Sequence, residues 1–504
     1  MRKIFILLLG LACYLSLKAQ ERPNIVYIFA DDLGYGDLGC YGQQKIETPN
    51  IDALAHSGML FTQHYVMPVC APSRYSLMTG LHSGHAYIRG NDEWTERGDV
   101  WDFKAMEANP SLEGQLPIPD STITIAKILK KNGYKTALVG KWGLGGPMTP
   151  GIPNNQGFDY FFGYLCQRED HQYYPAHLWE NMYRVPLNNK VQDPNIKFPS
   201  GLDAKDVAHY SAYSQKDYAP GLMINAALRF LDSSKHTPFF LYYPSPLPHA
   251  SMQAPAKWVD YYHKKFGDEQ PFSGGSYVPC RYPRATRAAM ITLLDEQVGT
   301  IVRKLKELGI YNNTIIIFSS DNGASNEGGA DCQWFDSNGP FKNESGWGKG
   351  FLYEGGIREP LIVVWPGKIK PGTKNDLITA NWDFMPTACH LAHVPTPAKI
   401  DGISYLPTLL GDKEHQVKHP FLYWEFPQNN GQQAVRMGQW KGIRFDLQKE
   451  IMKTKLFDLE NDIQEQHDVA DEHPDIVKKI EAIMKKEHQM PLVDQFRLKA
   501  LDDK

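Results

Sequence analysis

The chain has 504 residues, of which 53 are lysine or arginine and 57 are aspartate or glutamate, and its net charge is −4. This length fits one large and one small domain better than a single small core. Because the charge is nearly balanced and neither a polybasic nor an acidic tract occurs, the composition argues against nucleic acid and anionic membrane surfaces as partners.

Residues 1–20 predict an export signal. Arg2 and Lys3 form its positive start, residues 4–17 an apolar run, and residues 18–20 a polar exit. The apolar run is shorter than a membrane-spanning helix requires, and no similar run follows. We therefore expect cleavage near Ala19 or Gln20, no membrane span, and a protein that is exported to the periplasm or secreted.

Continuous apolar runs alternate with helical patterns over residues 21–415. Such runs are typical of buried parallel strands, and the alternation predicts an α/β sandwich with helices on both faces of one sheet. The predicted strands cover residues 24–30, 135–139, 239–243, 314–318 and 361–364. The predicted helices open at 48–50 and cover 124–131 and 284–308. We expect ligands to bind where such strands end.

The pattern changes at about residue 416. Segments 421–424 and 440–444 are short and resemble antiparallel strands, and a helical pattern covers residues 474–486. These features predict a small C-terminal α+β domain over residues 416–504. Apart from Cys13 and Cys70, the cysteines are widely spaced and form no C-x-x-C pair, so one disulfide stays possible but a disulfide framework or a cysteine zinc site is not predicted.

The string Cys70-Ala71-Pro72-Ser73-Arg74, followed by Leu77-Met78-Thr79-Gly80, places a thiol at the start of a helix. Pro72 suits the first helical turn, where a missing N–H costs nothing. The free N–H groups of that turn and the charge of Arg74 make the position electropositive and fit for an anion.

Carboxylate and amide side chains follow two of the predicted strands. Asp31 and Asp32 come directly after the first strand, and Asp321 and Asn322 after the strand at 314–318. A set of oxygen ligands without a companion histidine or thiolate favours calcium or magnesium over zinc.

Four basic side chains could surround an anion next to that cation. Lys141 and His249 follow the second and third predicted strands, while Arg74 and Lys349 lie in glycine-rich or helix-opening motifs. Together they would supply electrostatic stabilisation where negative charge develops.

In their order along the chain, these motifs resemble those of the type I sulfatases, in which the cysteine of the Cys70 string is oxidised to formylglycine. Segments 48–52 and 456–462 also match, so that the resemblance covers essentially the whole mature chain. It implies an alkaline-phosphatase-like sandwich with a large mixed, mostly parallel sheet. It also implies a formylglycine-generating maturation enzyme as a partner.

The resemblance assigns roles residue by residue. One calcium ion is implied at Asp31, Asp32, Asp321, Asn322 and the modified Cys70. Sulfate binding is implied for Arg74, Lys141 and Lys349, and proton donation to the leaving sugar oxygen for His249. In the implied reaction, the cation lowers the pKa of one hydroxyl of the hydrated aldehyde, which attacks sulfur, and the second hydroxyl then expels sulfate.

One position departs from the family pattern. The sulfatase motif Gly-Lys-Trp-His-Leu-Gly reads here Gly140-Lys141-Trp142-Gly143-Leu144-Gly145. In the family, the histidine that Gly143 replaces hydrogen-bonds the formylglycine. We expect a residue from elsewhere, or a water, to take its place.

Segment 167–179 combines aromatic rings with polar side chains, which suits a sugar ring. Its candidates for substrate binding are Arg168, Asp170, His171 and His177. By resemblance to exported carbohydrate sulfatases of gut Bacteroidetes, we expect an exo-acting enzyme. Its predicted substrate is sulfated galactose or N-acetylgalactosamine, with O3 first and O6 or O4 next, in mucin O-glycans or glycosaminoglycans.

Two alternatives remain open at this point. One is a phosphatase or phosphodiesterase of the same superfamily, which would use serine or threonine with two zinc ions. The other is a non-catalytic protein that binds sulfated glycans and retains the fold, an alternative that Gly143 keeps open.

Overall fold

A computed structural model describes residues 22–502 and thus leaves the predicted export signal outside the described residues. Eleven strands form the central sheet. They are β1 (Asn24–Ala30), β2 (Met59–Tyr65), β3 (Lys135–Lys141), β4 (Tyr160–Tyr164), β5 (His177–Glu180), β6 (Tyr183–Pro186), β7 (Phe239–Pro244), β8 (Thr314–Ser320), β9 (Arg358–Val364), β10 (Thr373–Asn375) and β11 (Thr379–Ala380). Their order is β10-β2-β9-β8-β1-β7-β3-β4-β5-β6, with β11 paired to β2.

The centre of this sheet is parallel, as the apolar runs predict. Strand β1 is buried along its whole length and pairs in parallel with β7 and β8. Strand β9 differs from the sequence-based expectation, because it runs antiparallel to both β8 and β2. An apolar run fixes burial but not direction, and the chain returns from β8 to β9 through short helices rather than a long crossover helix.

Helices cover both faces of the sheet. They are α1 (Pro49–His56), α2 (Cys70–Thr79), α3 (Phe103–Ala108), α4 (Ile125–Lys131), α5 (Ala219–Ser234), α6 (Ala256–Phe266), α7 (Pro283–Glu307), α8 (Cys332–Phe335), α9 (Glu354–Ile357), α10 (Phe384–Leu391) and α11 (Leu406–Leu409). Alternate residues of β1 face opposite sides: Val26 and Ile28 pack with α5 and α7, whereas Ile25 and Tyr27 pack with α2, α4 and α10. The predicted sandwich is confirmed.

A second, four-stranded antiparallel sheet follows. Its strands are β12 (Leu422–Phe426), β13 (Gln432–Met437), β14 (Trp440–Arg444) and β15 (Thr454–Asp458), paired in that order. Helix α12 (Pro474–Glu487) packs on one face through Ile480 and Met484, and the short helix α13 (Lys499–Asp502) ends the described chain. The other face packs against the central unit through Trp424 and Trp382, whose rings meet at 5.9 Å.

Two further expectations concern the described residues. Among residues 22–502, no helix is both long and apolar enough to cross a membrane. The possible disulfide does not form there, because the cysteines of this part of the chain are free thiols, namely Cys40, Cys70, Cys166, Cys280, Cys332 and Cys389.

Candidate active site

Two parallel strands bring the predicted metal ligands together. Because Ala30 pairs with Ser320, the next residues of the two strands, Asp31 and Asp321, meet at the same edge of the sheet. The backbone N–H of Asp32 donates to Asp321 Oδ1 at 3.1 Å, and Asn322 Nδ2 donates to Asp32 Oδ1 at 2.7 Å. All four side chains are fully buried.

These residues fit a hard cation. Asn322 Oδ1 is buried and has no hydrogen-bond partner within the protein, which leaves it free to bind a metal. One donor atom from each of Asp31, Asp32, Cys70 and His249 lies within 4.8 Å of the others. Burial, reinforced by Asp31, raises the pKa of Asp321 to about 7. A bound cation would keep this carboxyl ionised, and the oxygen-rich set suits calcium.

Cys70 is the first residue of α2 and faces this acidic group. Its Sγ lies 3.4 Å from Asp31 Oδ1 and 3.8 Å from Lys141 Nζ. The turn is held by Ser73, whose hydroxyl accepts from the Met67 N–H at 2.9 Å and donates to the Asp321 carbonyl. Burial, together with Asp31, raises the pKa of the Cys70 thiol well above its ordinary value, so the unmodified thiol would be a poor nucleophile near neutral pH.

Arg74 and Lys141 are buried against the carboxylates. Arg74 Nη2 contacts Asp31 Oδ2 at 2.9 Å and Asp321 Oδ2 at 3.0 Å, and Lys141 Nζ contacts Asp31 Oδ2 at 2.6 Å and Asp170 Oδ2 at 3.0 Å. Although burial opposes it, attraction to Lys141 holds the pKa of Asp31 well below its usual value. The two cations therefore keep like charges from separate strands close together.

His249 and Lys349 reach the cavity from the other side. His249 Nδ1 donates to the Ala250 carbonyl at 2.5 Å, and its Nε2 lies 3.7 Å from Asp32 Oδ2. Burial and the charges of Lys141 and Lys349 lower the pKa of His249 to about 3, so that its ring is neutral until an anion approaches. Lys349 Nζ contacts Asp32 Oδ2 at 2.9 Å.

These groups open into a polar cavity of about 580 Å³. Cys70, His171, His249 and Lys349 line it. Asn91 also lines it. The wall further includes residues that sequence reasoning missed, since they come from distant parts of the chain: Trp101, Tyr277, Glu327, Phe426, Gln428 and Asn429. A larger cleft of about 790 Å³, lined by Met148 and Met182, contains none of the predicted site residues.

The predicted sugar-binding residues do not all meet here. The His171 ring lies 5.5 Å from the His249 ring and 4.8 Å from the Tyr277 ring, and Asp170 is buried beside Lys141. Arg168 does not line the cavity. Its two Nη groups bond to Glu93 Oε2 at 2.7 Å and to the carbonyls of Leu112 and Gly114, whereas its buried Nε has no partner within the protein.

His177 likewise does not line the cavity. It lies on β5, buried, with Nδ1 2.6 Å from Glu107 Oε2 and Nε2 2.9 Å from Glu113 Oε2. Because both ring nitrogens are paired and the ring does not line the cavity, the structure gives His177 no contact with a sugar there. Sequence could not reveal this, since its partner Glu113 lies 64 positions away.

A glutamine faces the position where the family histidine is missing. A Cβ at Gly143 would lie 3.0 Å from Gln167 Nε2 and 3.2 Å from Gln115 Oε1. Gln115 Oε1 accepts the Gln167 backbone N–H at 2.9 Å, which fixes the start of this turn. Gln167 lines the cavity, and its Nε2 is buried without a partner within the protein. It thus offers N–H donors to the cavity that Cys70 also lines.

Comparisons with known proteins agree with this geometry. The family described as Sulfatase matches residues 23–394, and the one described as N-sulphoglucosamine sulphohydrolase, C-terminal, matches residues 343–490. Human arylsulfatase A is 34% identical over 453 residues, covering 87% of this chain and 78% of that protein. The N-acetylgalactosamine-6-O-sulfatase of Bacteroides thetaiotaomicron is 30% identical over 526 aligned positions, covering 92% and 93%. A solved structure of Ps i-CgsB in complex with k-i-k-neocarrahexaose is similar at a TM-score of 0.71 and 27% identity, with 94% of each chain covered.

Proposed function

The chain belongs to the sulfatase family and is a sulfuric ester hydrolase, and from this premise we propose that it is an exo-acting carbohydrate sulfatase. The observation that carries the proposal is the position of Cys70. It begins a helix, faces Asp31 at 3.4 Å and Lys141 at 3.8 Å, and opens into the same cavity as His249 and Lys349. An anion bound there would meet a nucleophile, a proton carrier and two cations.

The protein's own groups have distinct tasks in this proposal. Lys349 and Lys141 attract the sulfate group, and Arg74 keeps Asp31 and Asp321 together behind it. A bound sulfate ester raises the proton affinity of His249, whose Nδ1 is already held by the Ala250 carbonyl. Nε2 can then hand its proton to the leaving sugar oxygen.

Two groups complete the site in the mature enzyme. Asp31, Asp32, Asp321 and Asn322 would hold calcium, which supplies positive charge and lowers the pKa of a coordinated hydroxyl. Cys70, once converted to formylglycine, would supply that hydroxyl from its hydrated aldehyde. This conversion requires a formylglycine-generating maturation enzyme, and the signal predicted at residues 1–20 would direct the protein to the periplasm or outside the cell.

For the substrate we propose sulfated N-acetylgalactosamine or galactose in host mucin O-glycans or glycosaminoglycans. The ring faces of Trp101, His171 and Tyr277 and the carboxylate of Glu327 suit a sugar in the cavity. The name of the Bacteroides relative supports the 6-O position of N-acetylgalactosamine as the first to test. The order implied by the family resemblance, with O3 of galactose first, stays a prediction.

The two alternatives make different demands on the site. A di-zinc phosphatase needs several histidine ligands, whereas the metal-binding group beside the cavity, among the residues that the structure describes, joins a single histidine, His249, to Asp31, Asp32 and Cys70. A non-catalytic sulfoglycan-binding protein needs no proton carrier beside Cys70. Turnover by the matured enzyme separates both alternatives from the proposal.

The experiment is a screen for released sulfate with calcium-loaded, formylglycine-containing enzyme. N-acetylgalactosamine 6-sulfate, galactose 3-sulfate, galactose 6-sulfate and glucose 6-sulfate are offered as free sugars and as internal residues of an oligosaccharide. We expect activity on a terminal galacto-configured sugar and none with the Cys70→Ala variant. Activity restricted to phosphate esters would overturn the proposal, and binding without sulfate release would favour the non-catalytic alternative.

A further inference from the structure

A second cluster of metal-binding side chains lies outside the cavity, between the central unit and the C-terminal helix. It consists of His82, His85, Asp401 and Glu487, and we call it the His82 cluster. His82 and His85 lie in the turn that follows α2, and Glu487 is the last residue of α12. Asp401 is tied to the same turn, because its N–H donates to the Gly80 carbonyl at 2.8 Å.

The distances from the two imidazoles to Glu487 are too long for hydrogen bonds but suit ligands of one metal ion. His82 Nε2 lies 3.6 Å from Glu487 Oε2, and His85 Nε2 lies 3.7 Å from the same oxygen. The three atoms all lie within 4.8 Å of one another. Zinc bonds of about 2.0–2.1 Å in a tetrahedron place neighbouring ligand atoms roughly 3.4 Å apart.

Asp401 orients one of the two imidazoles. His85 Nδ1 lies 2.8 Å from Asp401 Oδ1, so this nitrogen carries the proton and donates it. The lone pair of His85 Nε2 is then free and faces Glu487. A carboxylate that fixes the outer nitrogen of a ligating histidine is the usual support of a zinc site.

His82 needs one adjustment to bind a metal. In the structure its Nδ1 accepts the Gly84 N–H at 3.2 Å, which places the ring proton on Nε2. Coordination through Nε2 moves that proton to Nδ1 and gives up this single long contact. The Gly84 N–H would then face a second donor, so this part of the turn must shift when the metal binds, while the two rings stay stacked, with centroids 4.3 Å apart.

Charge also favours a cation here. Asp401 and Glu487 bring two carboxylates to the two imidazoles, and Glu487 stands at the C-terminal end of a helix, where the helix dipole disfavours an anion. Lys486 Nζ contacts Glu487 Oε1 at 2.8 Å, which leaves Oε2 to the two histidines. Both His82 and Glu487 are buried, which increases the cost of an uncompensated carboxylate.

We propose that the His82 cluster binds one zinc ion through His82 Nε2, His85 Nε2 and Glu487 Oε2, with Asp401 orienting His85. The two imidazoles select a borderline transition metal over calcium. The His85 side chain is 21% exposed, which leaves the fourth position to water. Such an ion would fasten the end of α12 to the turn that follows the Cys70 helix, and its role would be structural.

The test uses the full-length, calcium-loaded protein. It is equilibrated with zinc chloride, dialysed, and analysed for metal by mass spectrometry, and cobalt is then substituted to report tetrahedral geometry in the visible spectrum. We expect one zinc ion per chain, lost in His85→Gln and in Glu487→Gln, and retained about 10- to 100-fold more weakly in Asp401→Asn. Free zinc at about 100 times its Kd should raise the folded-to-unfolded ratio about 100-fold.

The control is His415→Gln, because His415 pairs with Asp412 at 2.8 Å in a similar histidine–carboxylate contact on the surface. This variant should keep the zinc. If the wild-type protein retains no zinc, or if both His85→Gln and Glu487→Gln retain it fully, the proposal is wrong. Near-UV circular dichroism identifies a variant that fails to fold. In that case the zinc content of the other variant and of the wild-type protein decides whether the proposal holds.

Discussion

Gly143 and Gln167 are complementary: the glycine has no side chain where the glutamine amide stands, and a Cβ at 143 would come within 3.0 Å of Gln167 Nε2. The φ of Gly143 is 79°, in the left-handed region that a histidine rarely adopts. Backbone and neighbour thus both exclude the histidine of the family motif. The sequence left open which residue replaces it, and the structure offers the N–H donors of Gln167.

Replacing Gln167 with alanine should therefore lower kcat/KM without unfolding the protein. A hydrogen bond to a charged group is worth about 1.5–3 kcal/mol, which corresponds to roughly 10- to 100-fold in rate. Steady-state kinetics on a sulfated sugar provides the measurement, and Gln466→Ala, an exposed glutamine, is the control. An unchanged kcat/KM would mean that a water molecule, and not Gln167, takes the place of the family histidine.

Substituting Cys70 with alanine should abolish sulfate release, because alanine cannot become an aldehyde. The fold should survive, since the change removes one sulfur atom at the start of a helix. Peptide mass spectrometry of the wild-type protein from a competent host should show the aldehyde or its hydrate at position 70. Full activity with an unmodified thiol would contradict the assignment.

Removing calcium should abolish activity and lower the Tm, because Asp31, Asp32 and Asp321 then remain as buried, mutually repelling carboxyls. Calcium alone should restore activity. Asp321→Ala should lose activity even in excess calcium. Activity that is restored by zinc but not by calcium would contradict the oxygen-ligand assignment. Zinc bound at the His82 cluster can be told apart from zinc bound at the calcium site, because Asp321→Ala should retain the former.

His249→Ala should slow sulfated sugars far more than aryl sulfates, whose leaving groups need little protonation. General acid catalysis is worth about 10²–10⁴-fold, so the loss on a sugar should lie in that range. The measurement compares kcat/KM for the two substrate classes. Equal losses would restrict His249 to binding sulfate.

The ion pair of His177 should make stability depend on pH in the alkaline range. Although burial alone lowers it, hydrogen bonding to Glu113 raises the pKa of His177 to about 9. In the unfolded chain the pKa of this histidine is about 6.5. The paired imidazolium therefore contributes its full stabilisation below about pH 6.5 and loses it as the pH rises through about 9. The contribution is at most about 3 kcal/mol.

We therefore expect the Tm difference between wild type and His177→Gln to shrink as the pH rises from about 8 to about 10. This window lies above the pKa of Glu169, a neighbouring buried carboxyl that burial raises to about 7. Glu107 and Arg184 also face the ring. A Tm difference that stays constant with pH would mean that His177 stabilises the fold through packing alone. A large loss of kcat/KM in His177→Gln would instead support the prediction that His177 binds the sugar.

The sequence predicted the parts of the fold and site that depend on local pattern. Strand β1 has the predicted bounds because it is apolar throughout, and Asp31 and Asp321 could be paired because both follow such strands. The direction of β9 could not be predicted, since burial is the same for both orientations. The ion pairs of Arg168 with Glu93 and of His177 with Glu113 could not be predicted, because these partners lie far away in sequence.

The contact between Asn91 and Gln428 joins an N-terminal and a C-terminal segment of the chain next to the Cys70 helix. Asn91 Oδ1 accepts the N–H of Ala71, next to Cys70, and the Asn91 N–H donates to Gln428 Oε1 at 2.9 Å. Gln428 follows β12, so a residue from the last quarter of the chain forms part of the cavity wall that a sugar would contact. Exchanging the loop after β12 between relatives should therefore change which glycan binds while leaving the hydrolysis of the sulfate ester intact. Cutting the chain before β12 would instead remove both that wall and the support of Asn91.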